Sequence, residues 1–240
     1  MRDATRRAVV WEALRALLAE RTAATGRETL DIVDAGGGTG GFAVPLATLG
    51  HTVTVVDSTP DSLAALERRA AETGVGVKGL QGDAADLGDL LAPGSADLVL
   101  CHSVLEYVED PAGALGAVGG ILRPGGVVSV LAANSVAAAV HRSLAGHFDE
   151  ARRVLSDPAG RWGDRDPTPR RFSRETLGEL LSGAGFTVGE VQGVRIFADL
   201  VPGMLAESDP EGLVALERAA ATHPVLRDVA TQIHVIAYRQ

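Results

Sequence analysis

The residues with the clearest chemistry lie in one short run, Asp34-Ala35-Gly36-Gly37-Gly38-Thr39-Gly40. A glycine-rich turn after a strand lets backbone approach a ligand closely and aims helix N–H groups at it. Gly36, Gly38 and Gly41 satisfy the G-x-G-x-x-G spacing of dinucleotide-binding turns. Asp34, Gly36, Gly38 and Gly40 equally satisfy D-x-G-x-G-x-G, so the glycines alone do not choose. Asp34 tilts the choice: a carboxylate there suits a cofactor carrying a cationic ammonium and repels a pyrophosphate in a partly desolvated site. Asp57 follows about 20 residues later and suits ribose hydroxyls in either case. Asp83, within Gly82-Asp83-Ala84, can accept a hydrogen bond from an adenine amino group. Each acid could instead serve only as a helix cap. Asp34 and Asp57, however, fall at the carboxyl ends of predicted strands, where ligands bind in open α/β sheets.

The elements that must position these residues alternate. Val9, Val10, Leu14, Leu17 and Leu18 recur at helical spacing and predict a helix over 5–22. Strands are expected at 30–34, 52–56, 75–80, 96–101 and 127–132, with helices at 39–49, 59–73 and 110–122 between them and a turn at 123–126. Val104, Leu105 and Val108 are read as core. This alternation predicts a parallel sheet with right-handed crossovers. Beyond Asn134 the pattern changes. Residues 135–156 read as helical, 157–171 as loop, 173–183 and 210–221 as helices, and 186–194 and 232–238 as strands. The expected organisation is one domain over 1–240 with a helical and loop-like cap inserted at 135–172.

Composition narrows the function classes. The net charge is −9, which disfavours nucleic acid over most of the surface. Residues 141–174 are the exception, with eight arginines against five acids. The single cysteine, Cys101, excludes an internal disulfide and a thiolate cluster and is read as a small buried residue. No metal site is expected. No apolar run reaches about 18 residues, and the N-terminus lacks a signal-peptide shape, so neither a membrane span nor export is expected. A cytoplasmic enzyme fits.

Three segments then carry a resemblance: Leu30 through Gly38, His102-Ser103-Val104-Leu105-Glu106-Tyr107-Val108, and Ile121-Leu122-Arg123-Pro124-Gly125-Gly126. Shorter matches lie at 145–149, 164–168, 193–197 and 233–235. Together they resemble the bacterial tRNA 5-carboxymethoxyuridine methyltransferase family of class I S-adenosylmethionine-dependent enzymes, over nearly the whole chain. The resemblance implies a Rossmann-like α/β fold: a seven-stranded, mostly parallel sheet with an antiparallel last strand and a small helical insertion after strand five. It implies S-adenosyl-L-methionine as cofactor, with contacts at Arg6, Gly37, Gly38, Asp57, Ala84, Ala85 and His102. A guanidinium such as that of Arg6 can hold the methionine carboxylate bidentately. It also implies methyl transfer to an oxygen of a modified wobble uridine, with a tRNA anticodon stem-loop as partner. The chain departs from the family in lacking most of a stretch before the first helix, in Tyr107 where the family has Trp, and in Ala133 where it has an aromatic.

A carboxylate acceptor is ionised at neutral pH and needs no general base, so no catalytic residue is named. It needs a cation that positions it and leaves an oxygen lone pair free. Arg165 and Arg195 are the candidates, with Arg161, Arg170 and Arg171 as phosphate contacts. No Asn-Pro-Pro-aromatic motif follows the fourth strand, which argues against amino-group methylation. The alternatives are an O-methyltransferase for a small acidic metabolite, and a dehydrogenase or silent cofactor-binding module.

Overall fold

The computed structural model describes residues 2–240, and side chains from residue 8 onward. Its elements run α1 (Arg2–Thr25), β1 (Asp31–Ala35), α2 (Ala43–Thr48), β2 (Thr52–Asp57), α3 (Pro60–Thr73), β3 (Lys78–Gln81), α4 (Leu87–Leu90), β4 (Ala96–His102), α5 (Pro111–Ile121) and β5 (Leu122–Ala133). Then follow α6 (Ser135–Leu144), α7 (Phe148–Ser156), α8 (Arg174–Gly183), β6 (Phe186–Val194), α9 (Gly203–Ser208), α10 (Pro210–Ala221) and β7 (Gln232–Arg239). The seven strands are ordered β3-β2-β1-β4-β5-β7-β6. The sheet is mostly parallel and turns antiparallel toward the C-terminus, the Rossmann-like arrangement expected.

The chain divides into two compact units. One contains Leu18–Val130, Glu179–Gly189 and Ile236–Gln240. In it β1 pairs in parallel with β2 and β4, so Asp34 lies level with Val55 on one side and Leu100 on the other. β4 is buried from Ala96 to Cys101, as a strand covered on both faces must be. At the amino ends of β1 and β4, Arg27 and Arg123 both reach Asp31 and Asp97. Burial pushes the Asp31 carboxyl up, but hydrogen bonds from Arg27 and Arg123 outweigh it and hold the group below the usual range. Arg123 of the Leu-Arg-Pro-Gly-Gly run therefore works at the strand ends away from the glycine turn. That run is not the expected turn: it belongs to β5, with Gly125 at φ +69° interrupting the extended backbone.

The other unit contains Met1–Leu17, Leu131–Gly178 and Glu190–Val235. In it Asn134 is 2% exposed. The Asn134 amide donates to the carbonyls of Asp228 (2.9 Å) and Ala230 (2.7 Å) and accepts from the Val136 N–H (3.0 Å), capping α6. The expected helix over 135–156 is broken at Gly146, φ +78°, into α6 and α7, because a left-handed residue ends a helix. Two short elements were not expected: α4 and α9, of four and six residues, are too brief to show a periodicity.

Glu217 of α10 is 1% exposed and accepts the backbone N–H groups of Ile196 (2.9 Å), Phe197 (2.8 Å) and Ala198 (2.7 Å). It thereby fixes the turn after β6. Glu217→Ala orphans three amides and is expected to destabilise the protein by about 3 kcal/mol. Thermal unfolding followed by circular dichroism should show a midpoint lower by roughly 6–12 °C.

Candidate functional site

The glycine turn joins β1 to α2 and closes against its own neighbours. The Gly36 N–H donates to the Val56 carbonyl at 2.7 Å, and its φ is +69°. A Cβ on Gly36 would lie 2.4 Å from a methyl of Val104, and one on Gly37 would lie 2.6 Å from the Asp34 carboxyl. Both positions are therefore glycine for lack of room. Gly38, at φ +54°, donates its N–H to Asp57 Oδ2 at 2.9 Å. Gly40, at φ +78°, has Leu66 2.3 Å from where a Cβ would stand. The turn takes up the first residues of the helix expected over 39–49, so α2 starts only at Ala43.

A cavity of about 240 Å³ opens beside this turn, lined by Gly36, Asp57, Asp83, Ala84, Ser103 and Tyr107 among others. Asp57 ends β2. Its second oxygen, Oδ1, accepts the Thr59 N–H at 2.9 Å, so backbone donors hold the carboxylate in place. Each oxygen keeps a lone pair that a ligand hydroxyl could use. Asp83 is both cap and lining: Oδ1 accepts the Ala85 N–H at 3.1 Å, starting the 3-10 turn Ala84–Asp86, and the residue borders the cavity. Ala84 is buried at the wall, whereas Ala85 is exposed and contributes its amide to the cap.

Asp34 is 2% exposed. Burial, reinforced by the charge of Asp57, pushes its carboxyl up to about 7. A carboxylate so placed is costly to ionise alone and favourable to ionise beside a cation. His102 ends β4, with Nε2 2.8 Å from Ser129 Oγ and its ring edge-on to Phe42 at 4.8 Å. Arg6 lies in α1, and its side chain falls outside the described residues. Cys101 is buried, which pushes its thiol up to about 12 and leaves it inert at neutral pH.

Four lining residues after β4 carry no cofactor role in the sequence pattern: Ser103, Val104, Tyr107 and Val108. Ser103 carries φ +56°, an uncommon conformation for a residue with a side chain, and it aims the segment after β4 at the cavity. No sequence signal marks it, since glycine is the usual occupant. Val104 and Val108, read as core, line the cavity instead, and only Leu105 of that trio is fully buried. Tyr107 is 61% exposed at the same cavity.

The predicted acceptor arginines lie in the other unit. Arg195 is not inside a strand: it follows Val194, the last residue of β6, at φ +63°. Its guanidinium pairs with Asp199, which also accepts from the Thr231 hydroxyl at 2.8 Å. Arg161 donates to the Gly163 carbonyl at 3.3 Å, and Arg165 is exposed. Arg171 is not a free phosphate contact. Its fork closes on Asp166 with bonds of 2.6 and 2.9 Å. Burial raises the Asp166 carboxyl, but Arg171 and the N–H groups of Trp162 and Thr168 prevail and hold it below the usual range. Arg170 is half-buried.

The glycine turn, the buried Asp34 beside it and Asp57 at the end of β2 lie at the carboxyl ends of parallel strands, where open α/β sheets bind ligands. A family model described as a methyltransferase domain matches residues 33–130. The chain is 31% identical, over 97% of its length, to the tRNA 5-carboxymethoxyuridine methyltransferase of Escherichia coli strain K12, and covers 87% of that protein. Over 42% of its length it is 37% identical to the ubiquinone biosynthesis O-methyltransferase of Methylocella silvestris, covering 39% of it. A solved S-adenosylmethionine-dependent methyltransferase from Mesorhizobium loti shares the fold, with a TM-score of 0.64 and 23% identity over the whole of both chains. The chain belongs to the class I S-adenosylmethionine-dependent methyltransferases, in the family of the Escherichia coli tRNA enzyme. Its cofactor is S-adenosyl-L-methionine. Among the described residues, no helix is long and apolar enough to cross a membrane.

Proposed function

We propose that this enzyme methylates a carboxylate or hydroxyl oxygen of a modified wobble uridine in tRNA. The observation that carries the reading is the relation to the Escherichia coli tRNA enzyme over 97% of the chain. The arginine-rich segment 141–174, basic in a protein of net charge −9, supports it. Such an enzyme works in the cytoplasm, where its substrate is. The bound cofactor supplies an electrophilic methyl on a sulfonium. An ionised carboxylate acceptor would have no proton to give up, so the chain's own residues would need only to position it. Alignment then supplies much of the rate.

In this reading Asp34 faces the methionine ammonium, Asp57 holds the ribose diol, and Asp83 accepts from the adenine amino group. Gly36, Gly37 and Gly38 present backbone, and Ala84 and Ala85 border the adenine. His102 stands at the carboxyl end of β4, and Arg6 binds the methionine carboxylate. Segment 135–172 acts as the acceptor-binding cap. Arg165 within it and Arg195 after β6 are the cations for the acceptor carboxylate, and Arg161 is a phosphate contact. The acidic surface outside 141–174 favours a second reading, a small acidic metabolite as acceptor. Mass spectrometry of tRNA nucleosides from cells with and without the gene separates the two. Loss of one methylated wobble nucleoside in the deletion supports tRNA; an unchanged nucleoside profile rejects it.

A further inference from the structure

A second cavity, of about 250 Å³, lies within the unit that holds the acceptor-side segment, at the carboxyl end of β5. Carboxyl ends of strands are where open α/β sheets bind ligands. Its chemistry is one-sided. His141, Arg142 and Arg171 line it, and none of its lining residues is an acid, although acids outnumber bases in the whole chain. The acids that balance two of these cations, Glu150 for Arg142 and Asp166 for Arg171, are not among the lining residues.

The Arg142 guanidinium lies 3.9 Å from the centroid of the Trp162 ring. It is therefore held by a flat aromatic surface, and one of its nitrogens, Nη1, pairs with Glu150 at 3.0 Å. The backbone N–H of Trp162 donates to Asp166 at 3.0 Å and anchors the chain at that residue. Arg171 is closed on Asp166 and acts as a wall. Arg142 keeps Nε and Nη2 for a ligand, and His141 adds an imidazole from the same turn of α6. Stacked guanidinium and indole planes are what proteins use against single unstacked bases. A volume below the range of roughly 300–1,000 Å³ typical of drug-sized ligands suits one ring with a short substituent.

We propose that this cavity is a subsite for a single planar heterocycle bearing a carboxylate, gripped by Arg142 and His141 and stacked beside Trp162. The inference rests on the carboxylate-acceptor reading above and adds Arg142 and His141 to its acceptor-side cations. The probe is orotate, a pyrimidine carboxylate, with uridine as the uncharged comparison. The chain has two tryptophans, so a Trp11→Phe background leaves Trp162 as the fluorescent reporter. Orotate should quench it saturably and bind at least about tenfold more tightly than uridine, the expected worth of a charge-assisted bidentate contact. Arg142→Met should weaken orotate by about tenfold or more while S-adenosylmethionine affinity stays unchanged. Ala138→Leu, which fills the cavity without touching a charge, should do the same and stands in should Arg142→Met fold poorly. Equal binding of orotate and uridine, no quenching, or unaltered orotate binding in both variants overturns the subsite. The two readings fail separately. Orotate bound with no tRNA methylated keeps the subsite and removes the tRNA reading. Methylation of tRNA with normal KM in Arg142→Met and no orotate bound does the reverse.

Discussion

Asp34→Asn is expected to weaken S-adenosylmethionine binding by roughly 30- to 150-fold, or about 2–3 kcal/mol, the cost of deleting one charge from a desolvated pair. The pH dependence identifies the cause. With its carboxyl near 7 in the free protein, Asp34 is largely protonated below that value, and a cationic ammonium must expel the proton to bind. Affinity in the parent should therefore rise about tenfold per pH unit from about pH 5.5 to near 7 and then level off. In Asp34→Asn this slope should vanish. The sign for stability is opposite. A carboxyl raised on folding stabilises the native state at low pH, and that contribution is lost as pH rises through the folded value. Unliganded Asp34→Asn should thus be at least as stable as the parent at about pH 8, where the parent buries a bare carboxylate. Calorimetric titration and thermal melts at several pH values read both. A variant that keeps the parental affinity and slope would remove Asp34 from the cofactor site.

Gly36→Ala should be nearly as damaging, by geometry instead of charge. Its φ of +69° disfavours any side chain, and the new Cβ would stand 2.4 Å from Val104. The left-handed conformation costs about 1 kcal/mol and the overlap about 1–3 kcal/mol. Because Val104 lines the cavity, relief by moving it should disturb cofactor binding as well as stability. Adding Val104→Ala should recover part of the loss, leaving the backbone term. Gly116→Ala, in α5 with open space around it, is the matched control and should be neutral or stabilising by up to about 1 kcal/mol. Equal behaviour of the two substitutions would refute this account of the turn.

Residues with local signals were legible in the sequence. Pro60 and Pro210 start helices α3 and α10 at their expected positions, and β6 runs from Phe186 to Val194 as its alternation indicated. Asp34 and Asp57 stand at the ends of expected strands and Asp83 follows the third, and the last two border one cavity. What was hidden depends on tertiary closure. Whether Val104 faces core or cavity depends on the left-handed turn at Ser103. Arg171 and Arg195 looked like free cations because their partners, Asp166 and Asp199, are paired by loop geometry that has no period. Nothing local marks Arg142 and His141, because the proposed subsite depends on Trp162, twenty residues beyond Arg142 and brought alongside it by the fold.

The proposed reaction transfers a methyl group from S-adenosylmethionine to an oxygen, first of all a carboxylate oxygen, of a modified wobble uridine in tRNA. Purified protein given methyl-labelled cofactor and bulk tRNA from cells lacking the gene tests it most directly. A methyl ester releases its label as volatile methanol under mild alkali, whereas a methyl ether or a methylated base keeps it. Incorporation into tRNA, release of that label by alkali, and loss of incorporation in Asp34→Asn are expected. Alkali-stable label would contradict a carboxylate acceptor, and no incorporation with cofactor demonstrably bound would contradict tRNA as the substrate.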